Sequence, residues 1–217
     1  MKIAIIGATG FVGENLVNEA VSRKINVTAI ARNVEKLETE SEFITKIAAN
    51  VNNVTYLAEK LEGHDVVVSA YNAGWTNPNI YNDFIAGSKA IQQAVKAAGV
   101  NRYIVIGGAG SLYIAENLQA VDTPDFPAEI KPGATAARDY LNVLKGEKDL
   151  DWVFFSPAFE MHPGVTTGRT GKYRLGNDAP VFDENNVSRL SVEDLAVVIL
   201  DEVENPKHHQ ERFTAAY

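Results

Sequence analysis

Two residue patterns in this chain are able to do chemistry. One is a set of glycines spaced to hold an anion, and the other a set of tyrosines, each able to move a proton where a lysine stands nearby. "GATGFVG" puts glycines at 7, 10 and 13, between a β-branched run and the first helical pattern. At such a junction Gly7 permits the tight turn, Gly10 lets the backbone approach a diphosphate, and Gly13 lets the helix pack on the strand. The helix N-terminus adds free N–H groups and a positive dipole end. Tyr56 precedes Lys60 by one helical turn in "YLAEK", the spacing at which an ammonium lowers the pKa of a proton-donating phenol. Tyr140 has Leu144 at that distance and Tyr113 has Asn117, so neither forms the pair.

The elements decide which pattern matters. "KIAIIGA", "NVTAIAR", "FITKIAAN", "DVVVSAY", "RYIVIGG" and "DWVFFSP" read as strands, with "ERFTAAY" as a final one. Most are continuous apolar runs, as in parallel strands buried on both faces. Helical spacing covers Val12 to Ser22, Val54 to Leu61, Tyr81 to Ala98, Ala134 to Leu144 and Val192 to Val203. Gly99 stands where a left-handed helix cap belongs, and Ser191 with Asp194 forms a capping box. Strand–helix alternation predicts an α/β fold, a Rossmann-type doubly wound parallel sheet with right-handed crossovers. Residues 1–217 read as one NAD(P)-binding domain, with 158–190 as a small C-terminal lobe on the substrate side. The segments Gly108 to Pro132 and Ala158 to Leu190 are too long for plain connections and leave the carboxyl edge of the sheet, where ligands bind. "YLAEK" falls between the third and fourth strands, on the flank. Tyr56 therefore reads as packing and Lys60 as a solvated side chain.

Bulk properties remove several function classes. The chain has 217 residues, 46% hydrophobic and 22% charged, the balance of a globular protein. Its net charge of −8 opposes binding to nucleic acid or anionic lipid. It has no cysteine, no apolar run of membrane-spanning length and no signal peptide, which predicts a cytoplasmic protein. The histidines lack ligand spacing, so no metal site is predicted. The second strand ends in Ala31 and Arg32, where an NAD site would place a carboxylate. A guanidinium there, with Lys36 one turn on, favours a ribose 2′-phosphate, so NADP(H) is expected over NAD(H). Geometry places Asn50 and Val51 near the adenine, and Ser69, Ala70 and Tyr71 beneath the ribose and diphosphate.

The spacing GxxGxxG resembles the extended and atypical short-chain dehydrogenase/reductases. "GGAGSL", "DWVFFSPAFE", "TGKYRLG" and "SRLSVEDLAVVILDEVENPKHHQERFTAAY" are similar to the NmrA-like group, its NADH-flavin reductases and biliverdin reductase B. The resemblance implies a Rossmann fold and reduction of a flavin or similar conjugated acceptor by a nicotinamide cofactor. It sets Gly7, Thr9, Gly10, Phe11, Val12 and Arg32 on the cofactor. It sets Gly107, Gly108 and the residues up to Leu112 beside the nicotinamide, with Ser156, Pro157, Ala158 and Phe159 across from it. Ala49–Asn50–Val51 departs from the Gly–Asp–Val of many relatives. Asn keeps an acceptor there and adds donors.

In that frame Ser111 is the best-placed hydroxyl, for contact with nicotinamide or substrate and as the candidate catalytic group. Tyr113, Phe159, Tyr71 and Trp75 are candidates to wall a planar acceptor, and Arg174 to meet an acidic group on it. His162, beside Glu160, reads as a loop histidine. The missing tyrosine–lysine pair argues against reduction of simple ketones. Hydride transfer to a flavin is compatible with it, the flavin being substrate rather than bound cofactor. Two other readings stay open: an NADP(H)-binding redox sensor without chemistry, and a nucleotide-sugar epimerase-like enzyme. The expected partner is a small planar acceptor, and the expected state is monomer or homodimer.

Overall fold

The computed structural model describes every residue from Met1 to Tyr217. β1 (Lys2–Ile6) leads through the glycine turn into α1 (Phe11–Ser22). Then come β2 (Asn26–Ala31), β3 (Ile44–Ala48), α2 (Val54–Leu61), β4 (Val66–Ser69), α3 (Ile80–Ala97) and β5 (Arg102–Ile106). After β5 a small antiparallel hairpin forms from β6 (Tyr113–Ala115) and β7 (Leu118–Gln119). The chain continues as α4 (Lys131–Lys145), β8 (Asp151–Ser156), β9 (Arg174–Gly176), α5 (Val192–Glu204) and β10 (Glu211–Ala216). The main sheet has the order β3-β2-β1-β4-β5-β8-β10-β9. All neighbours are parallel except β9, which runs against β10. This is the doubly wound Rossmann-like α/β fold.

Alternation within β1 builds both faces. Ile3 and Ile5 pack with Leu16 of α1 and Leu195 and Ile199 of α5. Ala4 and Ile6 join Leu57 of α2, Ile91 of α3 and Leu141 of α4. Apolar contact on both faces is why the central strands carry no polar alternation. Gly99 ends α3 at φ +71°. Its N–H donates to the Lys96 carbonyl at 3.1 Å and that of Val100 to Val95 at 3.2 Å, a paired closure of the last turn. The Ser191 hydroxyl accepts the Asp194 N–H at 3.1 Å, capping α5.

Two parts of the architecture differ from the sequence expectation. The β6–β7 hairpin and edge strand β9 arise inside the two segments read as loops. Helix α4 begins at Lys131 rather than Ala134, with Pro132 in its first turn. Proline is tolerated there because its missing N–H is one the helix would leave unpaired.

Both long segments are pinned by buried charge. The Asp194 carboxylate, fully buried, accepts the N–H groups of Thr170 at 2.9 Å and Gly171 at 2.7 Å, the Thr170 hydroxyl at 2.6 Å and the Tyr217 hydroxyl at 2.7 Å. Glu19 of α1 lies between Arg23 and Arg169, each at 2.8 Å. Arg212, buried on β10, donates to the Ser111 carbonyl and the Asp178 carboxylate. The Asp178 carbonyl in turn accepts the Tyr113 N–H at 2.8 Å. No helix is long and apolar enough to cross a membrane.

The hydrogen bond from Arg169 holds the Glu19 carboxyl below its ordinary range, with Arg23 adding to it and burial opposing. A carboxyl depressed in the fold stabilises above its unfolded pKa, and the gain is lost as pH falls through the folded value. Arg169 is half in solvent, so screening keeps the effect small. We expect Arg169→Ala to lower Tm by about 1–2 °C at neutral pH, with the gap closing below about pH 4.5. A gap independent of pH in thermal melts would show that Glu19 gains nothing from this contact.

Candidate functional site

After β3 the chain returns to the other side of β1 to form β4, so the carboxyl ends of β1 and β4 open a crevice at this switch in strand order. Gly7 turns there at φ +83°, and a Cβ on it would stand 2.6 Å from the Ala70 carbonyl oxygen. A Cβ on Gly13 would collide with the Gly7 carbonyl. The packing of β1, β4 and α1 requires both glycines. Gly10 is different. It is exposed and extended, and it caps α1 with no side chain. A Cβ on it would meet only the Gly7 carbonyl oxygen, at 3.3 Å, with nothing else within 4 Å. The N–H groups of Phe11, Val12 and Gly13 find no acceptor in the protein. Unpaired donors at the positive end of a helix fit a diphosphate. Thr9, half-buried, and Phe11, 40% exposed, flank these donors.

Arg32 leaves the end of β2. It and Lys36 are exposed and enter none of the ion pairs. Burial raises the pKa of the Tyr71 phenol while the Arg32 charge pulls it down, so the two share one neighbourhood. The Tyr71 hydroxyl donates to the Asp83 carbonyl at 3.1 Å, and its ring fills the notch at Gly87 beside Phe84. Ala70 supplies the carbonyl against Gly7, and Ser69 is buried in the sheet. Asn50 closes its own turn, its Oδ1 accepting the Asn52 N–H at 3.0 Å. Val51 packs against the core on the α2–α4 side.

Beyond β5, the Phe154 ring occupies the place a Gly107 side chain would take. The Gly108 carbonyl accepts the Ser111 N–H at 3.2 Å and hydroxyl at 2.8 Å. Ser111 is fully buried, and its hydroxyl also shares a 2.9 Å hydrogen bond with Ser156. That hydroxyl braces the turn after β5 against the end of β8. Tyr113 lies with its ring 5.4 Å from the Arg212 guanidinium carbon. Pro157 and Ala158 are buried, whereas Phe159 is 41% exposed and 6.2 Å from the Phe182 ring. Arg174, on β9, donates to the carbonyls of Phe182 and Tyr217. Phe11, Trp75, Ile114, Leu118, Phe159 and Phe182 are all exposed apolar side chains on segments that follow carboxyl ends of the central strands.

Tyr56 and Tyr140 are both excluded as the acid. Tyr56 has Lys60 Nζ 5.0 Å from its ring, but its helix connects β3 to β4 on the flank. Tyr140 is fully buried, with its hydroxyl donating to the Ser88 carbonyl at 3.1 Å. Burial lifts its pKa well above the ordinary phenol value. No group of three or more His, Asp or Glu side chains is arranged to hold a metal ion. Sequence reading passed over Arg212, Asp178 and the anchoring role of Asp194. Their partners lie far off in the chain, and only the local cap of Asp194 leaves a spacing signal.

A family model described as NAD(P)H-binding matches residues 7–203. The uncharacterized protein YwnB of Bacillus subtilis is 36% identical over 216 residues, 99% of this chain and 97% of that one. A crystal structure named a "putative epimerase", from Bacteroides thetaiotaomicron, is 48% identical with a TM-score of 0.91, covering 100% of this chain and 96% of its own. Another, a "putative NADH-flavin reductase" from Streptococcus pneumoniae, is 36% identical with a TM-score of 0.87, covering 100% and 99%.

The glycines separate fold from binding. We expect Gly13→Ala to lower Tm by about 5 °C or more, because backbone must move. Gly10→Ala should keep Tm within about 2 °C while weakening NADPH binding at least about tenfold. Calorimetry with NADPH checks this, and full affinity in Gly10→Ala would remove the diphosphate from this turn.

Proposed function

The chain belongs to the NAD(P)H-binding family, within the atypical short-chain dehydrogenase/reductases it resembles, and from this premise we propose that it is an NADPH-dependent reductase of a flavin or similar planar conjugated acceptor. One observation carries the reading: the N-terminus of α1 offers unpaired N–H groups to a diphosphate, while the tyrosine on the helix after β5 is closed off as an acid. Tyr140 is buried in the core, the Ser111 hydroxyl is bonded to Ser156, and the Tyr71 phenol donates to α3. When bound, the nicotinamide supplies a hydride, two electrons with one hydrogen, and the acceptor takes its balancing proton from water.

Reducing a simple ketone needs a proton delivered to the oxygen as charge develops. A conjugated acceptor spreads that charge over several heteroatoms, so the protein has mainly to hold the two reactants in line. The α1 donors grip the diphosphate. The Gly108–Ser111 turn, braced on Ser156 and held from below by Arg212, backs the reducing ring. The apolar rim around Phe159 and Phe182 keeps water away from the flat faces. The name of the Streptococcus relative supports the same chemistry. Epimerisation, the activity in the name of the Bacteroides relative, calls for a tyrosine acid, and the burial of Tyr140 weighs against it here. Arg32 and Lys36, unpaired beside the expected ribose, favour NADP(H) over NAD(H).

The test is oxidation of NADPH or NADH by purified protein with FMN, FAD, riboflavin and quinones, followed at the nicotinamide absorbance. We expect acceptor-dependent oxidation with NADPH preferred. NADPH binding without turnover across that panel would overturn the reductase reading in favour of a binding protein. Arg32→Asp should cut NADPH affinity about 10–100-fold and leave NADH within a few-fold. Unchanged NADPH affinity would remove the 2′-phosphate from this arginine.

A further inference from the structure

Trp75 is the most exposed large apolar side chain of the protein, at 59%, yet it is firmly seated. It stands in the loop between β4 and α3 and rests on Gly133, in the first turn of α4. A Cβ at Gly133 would come within 2.9 Å of both Trp75 Cζ3 and Ile80 Cδ1, so the absence of a side chain there makes the seat. The loop beneath is held by two side-chain amides on Asp83 and by an Asn72 turn. Asn77 Nδ2 donates to Asp83 Oδ2 at 2.8 Å, Asn79 Nδ2 donates to Asp83 Oδ1 at 2.7 Å, and the Gly74 N–H donates to Asn72 Oδ1 at 2.7 Å. Trp75 Nε1–H makes no hydrogen bond. The other tryptophan behaves in the ordinary way: Trp152 is 2% exposed and its Nε1 donates to the Glu147 carbonyl at 3.3 Å.

An indole normally buries its large apolar surface and pairs its N–H. Here a polar network keeps the ring at the surface with both left open. The position is also specific. β4 pairs with β5, and the start of α4 packs on the turn after β5: a Cβ at Gly110 would stand 3.3 Å from Ala134, the residue after Gly133, and one at Gly108 3.3 Å from Ala137. We propose that Trp75, seated on Gly133, is the specificity-determining wall of the acceptor site: its ring stacks on a flat conjugated acceptor, and its N–H donates to a ring carbonyl. This rests on the reductase reading, because β5 is where that reading sets the reducing ring. Flavins and quinones have the required plane and carbonyls, whereas a saturated ketone cannot stack. A macromolecular partner fits less well. The loop around Trp75 carries the polar Asn72, Thr76, Asn77 and Asn79, and one indole in a polar rim matches one ring system, not the roughly 800 Å² that each partner of a stable protein complex buries.

The test uses binding as well as turnover. Because Trp152 is buried, Trp75 reports on solvent and ligand through tryptophan fluorescence. Riboflavin and a naphthoquinone should quench that signal saturably in the wild type, and cyclohexanone should not. Gly133→Val, which removes the seat, should weaken riboflavin binding about tenfold, and Trp75→Leu should do the same by calorimetry, while Trp75→Phe restores most of it. NADPH affinity should stay unchanged in all three variants, and the KM for riboflavin should follow its affinity. Riboflavin affinity and KM unchanged in Trp75→Leu would overturn the assignment while leaving the reductase reading intact. Absence of any riboflavin or quinone binding to the wild type would overturn it too. Riboflavin binding by calorimetry to the wild type, weakened in Trp75→Leu and in Gly133→Val, with no NADPH oxidation, would keep the Trp75 wall and remove only the hydride transfer.

Discussion

The closeness of the Gly7 carbonyl to Gly13 sets everything else in this molecule. Helix α1 lies so near the end of β1 that Gly13 can carry no side chain, and Gly7 can carry none because the Ala70 carbonyl just past β4 stands in its place. This contact aims the N-terminus of α1 across the gap between β1 and β4. The helix then presents Phe11, Val12 and Gly13 N–H groups that the fold leaves without acceptors. A backbone that can be neither thickened nor tilted is what turns a general helix property into a fixed binding direction. Arg32 and the loops beyond β5 and β8 gain meaning from their position relative to that direction.

The long segments over the crevice are not left to their own weak packing. Asp194 gathers Thr170, Gly171 and Tyr217. Glu19 draws in Arg169, and Arg212 ties the Ser111 turn to the Asp178 loop. Each is a buried charge whose partners arrive from distant parts of the chain, so each is costly to leave unpaired. Chemistry that depends on alignment rather than on an acid needs such bracing, since its rate comes from geometry.

Much of this was legible in the sequence because it is local. Continuous apolar runs gave the central strands, and helical spacing gave five helices whose ends move by a few residues at most. Gly99 and Ser191 marked their caps through short-range hydrogen bonds. What was not legible depends on contacts between distant residues. The hairpin β6–β7 and edge strand β9 have too few residues to show a period, and β9 exists because β10 offers it an edge. Gly107 reads as room for a cofactor, but the ring of Phe154 takes that room. Ser111 reads as an open hydroxyl, and only the fold shows Ser156 beside it. Arg174 reads as a candidate to meet an acidic group, and only the fold shows its Nη2 donating to the carbonyls of Phe182 and Tyr217.

The tyrosines show how position outweighs type. Tyr56 and Lys60 have the right spacing on α2, and their approach is real, but α2 lies on the flank. Tyr140 is on the helix that follows β5, yet helical phase turns it inward, where its phenol meets Tyr103 at 3.4 Å and the Ser88 carbonyl. Burial raises both phenols, Tyr103 to about 12, because a phenolate has no water to stabilise it there. A group held so firmly protonated and closed off from solvent cannot exchange a proton with a substrate. Neither Tyr56 nor Tyr140 can therefore act as the acid, and this supports the proposal that the acceptor draws its proton from water.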